Sequence, residues 1–247
     1  MRILLVNDDG IDEEGLAAAE EALSAHETWV VAPADHCSGS GQSLGLYDSL
    51  TVQQRGPGRW AVDGTPTDCV KLALTSLMEA SPDLVVSGIN PGSNMANNVF
   101  YSGTVAAATE AAMWGIPSMA VSVESGSGRP RFETASSVAF SLVESGIPSM
   151  LPPRTVLNVN VPDRPAENIA GYAWTHTARF TADIPFEELE RGRVFRYGRF
   201  RTQAVEEEEG TDVQAVARGL VSLTPLSTDR SHLRDLPGLE VLNGGAV

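Results

Sequence analysis

The chain has 247 residues, with 32 acidic and 17 basic side chains and a formal net charge of −15. A surface that negative is repelled by phosphate backbones and anionic lipids, and no run of basic residues offsets it, which argues against a stable nucleic-acid partner or a membrane. The length suits one large domain, or a domain with an appendage, that buries a core without disulfides or structural zinc.

Residues 2–7, RILLVN, are a short apolar run closed by the turn-like DDG, which predicts a strand buried on both faces. Alanine and leucine at helical spacing predict a helix over 13–26, and TWVVA at 28–32 predicts a second strand, stopped by Pro33. A polar loop rich in Gly and Ser fills 35–45. Weaker strands are predicted at 46–52 and 59–62 around a turn at 56–58, and Pro66 opens a helix-compatible stretch over 67–78. DLVVS at 83–87 is the next buried strand, followed by a long Gly/Asn loop to Gly103 and an alanine-rich helix over 104–114. Residues 118–123 read as strand, 132–145 as helix and 155–161 as strand. The alternation predicts an α/β fold, a Rossmann-like three-layer sandwich with a mostly parallel sheet.

After Pro162 the pattern changes. Residues 163–210 lack clean alternation, hold five arginines between Arg191 and Arg201, and end in the acid run 206–209. They predict a hairpin arm leaving the core, with a helix at 211–217 and a last strand at 219–224 closing the chain. The expected organisation is a catalytic core over 1–162 and a C-terminal arm with closing helix and strand over 163–247, parts of one domain. The N-terminus reaches two aspartates after an apolar run of four residues, which predicts no signal peptide and no membrane span, hence a soluble cytoplasmic protein. Cys37 and Cys69 are then expected as reduced thiols. Sixteen of the bases are arginine and Lys71 is the only lysine, a balance resembling proteins of high-salt cytoplasm, where salt screens self-repulsion.

Ligands of an open parallel sheet bind beyond the carboxyl ends of its strands. Three polar clusters fall there: Asn7-Asp8-Asp9-Gly10, Ser38-Gly39-Ser40 and Gly88-Ile89-Asn90. Two adjacent carboxylates in one crevice need a cation to stabilise both charges, whereas a plain strand-to-helix turn accounts for one aspartate as a helix cap. Carboxylates, a hydroxyl and an amide carbonyl are hard oxygen donors, which select magnesium, manganese or calcium. The four histidines show no zinc spacing and the cysteines lie 32 residues apart.

The loop at 88–103, GINPGSNMANNVFYSG, runs into the helix that starts at Thr104. Free N–H groups at that helix start, with the hydroxyls of Ser102 and Thr104, can receive a phosphate; the alternative is ordinary capping by the same hydroxyls. A metal beside an anion-binding helix start describes metal-assisted attack on a phosphate ester. The glycine fingerprints of dinucleotide enzymes and P-loop proteins, the Asp-x-Asp motif of aspartyl-phosphate enzymes and the GxSxG elbow are all absent.

Several stretches together resemble the survival protein SurE family of metal-dependent 5'/3'-nucleotidases. They are ILLVNDDGI (3–11), SGSGQSL (38–44), GTPTDCVKLAL (64–74), VSGINPGSN (86–94), YSGTVAAATEAAMWGIPSMAVS (101–122), LNVNVP (157–162) and GTDVQAVARGLVSLTPL (210–226). The resemblance implies one divalent metal ion per subunit, Mg or Mn, held by Asp8, Asp9, Ser38 and Asn90, with Asn94, Ser102, Gly103 and Thr104 near the phosphate. Asp8, Asp9, Asn94, Ser102 and Thr104 are then the expected catalytic residues, either aspartate being a candidate acceptor for the water's proton. It further implies hydrolysis of nucleoside monophosphates by a homodimer or homotetramer that exchanges C-terminal elements, a role the 163–210 arm suits. The chain departs from the family where many members carry basic residues, here Ala34-Asp35-His36-Cys37, and at Gly41, where many have a second serine. Two other readings remain: a nucleotide- or phosphate-binding module without turnover, and a phosphatase acting on polyphosphate or sugar phosphates. Tyr47, Phe100 and Tyr101 are candidates for contact with a base, with core packing as the alternative.

Overall fold

A computed structural model of the chain describes residues 1–124, 126, 128–179, 186–197 and 209–231. Strand β1 (Arg2–Val6) leads into α1 (Glu14–Ala22), β2 (Glu27–Pro33), the pair β3 (Val52–Gly56) and β4 (Arg59–Val62), and α2 (Pro66–Leu72), which runs on as a π turn over Ala73–Leu77. Then come β5 (Leu84–Pro91), α3 (Gly103–Met113), β6 (Ser118–Val123), α4 (Phe132–Ser145), the short α5 (Ile147–Met150) and β7 (Thr155–Val161). Beyond these lie β8 (Tyr172–Trp174), β9 (Phe186–Glu190), β10 (Val194–Tyr197), α6 (Asp212–Ala217) and β11 (Val221–Ser227).

Nine of the described strands form one sheet in the order β3-β4-β2-β1-β5-β6-β7-β11-β8. The pairings from β4 through β2, β1, β5 and β6 to β7 are all parallel, while β3 runs antiparallel to β4 and β11 antiparallel to β7. From β1 the chain goes first to β2 on one side and later to β5 on the other. The strand order therefore reverses at β1, and the crevice beyond its carboxyl end is where such a sheet takes a ligand.

Side chains of one strand point alternately to the two faces, and here both faces are covered. Ile3, Leu5, Val30, Val86 and Val121 pack with Leu16 and Ala19 of α1 and with Phe132 and Ala139 of α4. Leu4, Val6, Val31 and Val85 pack on the opposite face with Cys69 and Val70 of α2 and Ala107 and Ala111 of α3. Double coverage explains why these strands read as continuous apolar runs. Lys71 binds the buried Glu110 at 2.6 Å, joining α2 to α3, and both cysteines are free. No helix of the described residues is long and apolar enough to cross a membrane.

Three segments differ from the expectation. The strand expected at 46–52 is absent up to residue 51, because the capping residues of α2 hold that loop instead. Asp68 accepts the Gly45 N–H at 3.1 Å and Thr65 donates its hydroxyl to the Ser43 carbonyl at 2.9 Å. The strand expected to stop at 87 continues to Pro91, and the loop after it contains a 3-10 turn over Ala96–Phe100. Finally, the arm expected over 163–210 does not wholly leave the core: β8 joins the main sheet, parallel to the closing strand β11, while β9 and β10 form an exposed antiparallel ribbon. Arg199, Arg201, Glu206 to Glu208 and His232 lie outside the described residues.

Candidate functional site

Just after β1, the Asn7 side chain closes a tight turn, its Nδ2 donating to the Gly10 carbonyl at 2.8 Å and its Oδ1 accepting the Gly10 N–H at 3.3 Å. Gly10 sits at φ 130°, a backbone that only glycine takes readily. The turn presents Asp8 and Asp9 to the crevice, where they are 3% and 8% exposed. The Thr104 hydroxyl donates to Asp8 Oδ1 at 2.5 Å. The Cys37 N–H donates to the Asp8 carbonyl at 2.7 Å, which brings the loop carrying Ser38 onto the same residue, and the Gly41 N–H donates to the Tyr101 carbonyl at 3.0 Å. Gly103 lies so close that a Cβ there would stand 2.7 Å from Asp8 Cβ and 2.9 Å from Ser40 Oγ.

Asp9 Oδ2 is buried with no hydrogen-bond partner, and Asp9 Oδ1 lies 3.6 Å from Nδ1 of the exposed His36. Burial, and then the neighbouring Asp8 charge, push the Asp9 carboxyl up to about 7. Burial raises Asp8 as well, against the lowering effect of its Thr104 bond. These residues fit a hard divalent cation, which would satisfy the orphaned oxygen and relieve the repulsion. Among the described residues no three His, Cys, Asp or Glu side chains are arranged to hold a metal ion by themselves, so neutral oxygens such as those of Ser38 and Asn90 would have to complete the donor set.

A pH effect follows. With the folded carboxyl of Asp9 near 7 and its ordinary value at 3.8, the folded state binds more protons across that interval, so this group's contribution to stability falls as pH rises through it. Melting of EDTA-treated protein, in enough salt to screen the net charge, should therefore drop between about pH 4 and pH 7, and excess Mg or Mn should flatten the drop. Asp9→Asn should make the slope shallower, the remainder coming from Asp8, which burial also raises; a slope that this substitution leaves unchanged contradicts the assignment.

Asn90 lies near the carboxyl end of β5, three residues past Ser87, which pairs with Val6 of β1. The β5–β6 register shifts between Ser87 and Asn90. Gly88, at φ 130° and preceding a cis peptide to Ile89, makes that shift possible: a Cβ there would meet the Val121 carbonyl at 2.3 Å. Asn90 Nδ2 donates to the Gly92 carbonyl at 2.6 Å, leaving Oδ1 as the end free for a ligand. Asn94 is held elsewhere, its Nδ2 donating to Ser122 Oγ at 2.8 Å and its backbone bonded to Asn158 and Asn160 of β7.

At the start of α3, Ser102 accepts the Val105 N–H at 3.1 Å, so its oxygen is a helix cap and its own proton is free to donate. The Thr104 hydroxyl is committed to Asp8. The first N–H groups of the helix, those of Gly103 and Thr104, have no acceptor within the helix and start beside the aspartates. The structure thus joins Asp8, Gly103 and Thr104 directly and places Ser38 one residue from an Asp8 contact, whereas the bonds of Asn94 run to β6 and β7. Tyr47, Phe100 and Tyr101 are exposed, not core; Arg230 lies over the Phe100 ring at 5.8 Å and donates to Gln42 at 2.8 Å.

Asn158, Asn160, Ser122 and Asp212, which support the loop at 94–96, escape a reading of the sequence alone. The two asparagines do leave a trace, as polar residues at period two in an otherwise apolar strand, TVLNVNV.

A mostly parallel sheet with paired buried acids at its reversal point, set against a helix N-terminus, defines the class: an α/β protein whose polar crevice lies beyond the carboxyl end of β1. The chain belongs to the survival protein SurE family, whose model matches residues 3–183. It is 41% identical to the 5'-nucleotidase SurE of Geobacter metallireducens over 97% of this chain and 96% of that one. It is likewise 41% identical to the 5'-nucleotidase SurE of Halorhodospira halophila over 99% and 97%. The crystal structure of the SurE protein from Aquifex aeolicus superposes with a TM-score of 0.86 at 35% identity, covering 98% of this chain and 100% of that one.

Proposed function

We propose that this protein is a metal-dependent phosphomonoesterase that hydrolyses nucleoside 5'-monophosphates, and 3'-monophosphates as well, to nucleoside and phosphate. The observation that carries the reading is the buried Asp8–Asp9 pair, with its unpartnered Asp9 oxygen, packed against the start of α3. Family membership and the relatives named 5'-nucleotidase supply the substrate class. Asp8, Asp9, Ser38 and Asn90 would hold one Mg or Mn ion per subunit. When bound, such an ion neutralises phosphate charge and makes water a better nucleophile.

The chain's own groups do the rest. The Gly103 N–H, the Ser102 hydroxyl and the amide hydrogen of Asn94 that is not given to Ser122 would receive the phosphoryl oxygens and stabilise their growing charge, while the N–H and hydroxyl of Thr104 are both turned to Asp8. Thr104 fixes the Asp8 carboxylate through the 2.5 Å bond. The absence of a membrane-crossing helix among the described residues and the strongly acidic surface favour a cytoplasmic enzyme, and the exposed β9–β10 ribbon is the element we assign to a homodimer or homotetramer contact.

Phosphate release from 5'-AMP, 3'-AMP, tripolyphosphate and glucose phosphates, compared under one metal condition, tests the substrate class. Faster release from the nucleotides is expected. Preference for tripolyphosphate or the sugar phosphates would replace nucleotides as the substrate, and nucleotide binding with no release would make the protein a binding module.

A further inference from the structure

The loop that carries Asn94 has few ladder bonds of its own, yet its backbone is gripped from two sides. The Asn94 N–H donates to Asn160 Oδ1 at 2.8 Å, and the Asn94 carbonyl accepts from Asn158 Nδ2 at 2.8 Å and Asn160 Nδ2 at 3.1 Å. Two residues on, Ala96 takes φ 51°, a left-handed conformation costly for a residue with a Cβ. Its N–H donates at 2.8 Å to Oδ2 of Asp212, 116 residues away. Asp212 has no exposed surface and forms no salt bridge among the described residues. Its other oxygen, Oδ1, accepts the N–H of Ala178 at 2.9 Å and of Val213 at 2.9 Å.

We propose that Asp212 is a positioning residue for the phosphate site: one carboxylate oxygen holds Ala96 left-handed, and so sets, with the direct grip of Asn158 and Asn160, the course of the loop that carries Asn94, while the other is anchored on the segment after β8 and on α6. Both oxygens face N–H donors, so only a group with two acceptor ends satisfies the site. An amide cannot. In Asp212→Asn one end becomes a donor, and either the loop or the anchor loses its bond. The tie would link Gly210-Thr211-Asp212, near the end of the chain, to the loop that follows β5. The inference rests on the functional reading only in placing Asn94 at the phosphate.

The test is Asp212→Asn, read by amide hydrogen exchange of the metal-free protein, by kcat/KM for 5'-AMP and by metal titration. Exchange across 94–100 should accelerate at least about tenfold while β1 and β6 stay protected. kcat/KM should fall at least about thirtyfold, with the metal midpoint moving less than about twofold, because Asp8, Asp9, Ser38 and Asn90 are untouched. Adding Ala96→Gly, which takes positive φ freely, should restore at least about fivefold of the loss, a rescue that a purely stabilising Asp212 would not give. Wild-type exchange and kcat/KM within about twofold in folded Asp212→Asn would overturn the proposal, as would activity lost without faster exchange at 94–100. If the variant does not fold, the wild-type protein decides: a slowly exchanging Ala96 amide supports the tie to Asp212 and a fast one overturns it. Wild-type protein that exchanges as expected but releases no phosphate from nucleotides would sink the functional reading and leave the tie standing.

Discussion

Replacing Asp8 by Asn is expected to cut metal-dependent phosphate release on the order of a thousandfold, about 4 kcal/mol of transition-state stabilisation, without weakening the fold. Asn has the same shape, and its carbonyl can still accept the Thr104 hydroxyl that now binds at 2.5 Å. What disappears is the charge, and with it one acceptor end for the backbone N–H groups that face the carboxylate. Burial already raises the Asp8 carboxyl, and the Asp8 charge helps push Asp9 up to about 7, so the metal-free fold carries a repulsion that the substitution removes. Melting of the EDTA-treated variant should hold or rise by roughly a few degrees while activity vanishes. Early melting with activity lost in proportion would make Asp8 a structural cap, and an unchanged rate would remove it from the site.

Gly103→Ala should show the same separation for a different reason. Gly103 opens α3, where alanine is the better helix former by up to about 1 kcal/mol, so the helix itself is not harmed. The new methyl group, however, would stand 2.7 Å from Asp8 Cβ, 3.0 Å from Asp8 Oδ2 and 2.9 Å from Ser40 Oγ, and something must shift. Displacing a carboxylate proposed to hold the metal by a fraction of an ångström to 1 Å is expected to lower kcat/KM about a hundredfold. Circular dichroism and melting near those of the parent, with the metal midpoint weakened, would complete the pattern. Activity within twofold of the parent would show that the α3 start does not set the position of Asp8.

The core of the fold was legible because its signals are local. The strand at 118–123, the helix at 132–145 and the strand at 155–161 are found at the residues their periodicity indicates. The segment at 46–51 misleads because its fate is decided by Thr65 and Asp68, a capping box on α2 that captures the loop; no pattern within 46–52 contains that information. β8 is three residues long and is a strand only by virtue of β11, about fifty positions later, so no local period announces it. At the site, Asp8, Asp9 and the α3 start stand out as polar groups at strand ends. The bonds that divide labour among them do not: the commitment of the Thr104 hydroxyl to Asp8, the capping by Ser102 and the grip of Asp212 on Ala96 each join residues that only tertiary structure brings together.

The central claim is that a divalent cation held at Asp8 and Asp9 is needed for nucleotide hydrolysis. The most direct measurement is phosphate release from 5'-AMP by folded protein stripped with EDTA, then after adding back Mg or Mn, at low and high salt. Release that is absent after stripping and returns with the metal is the predicted result. Release that persists unchanged in EDTA, or that never appears from protein shown to be folded, would contradict it.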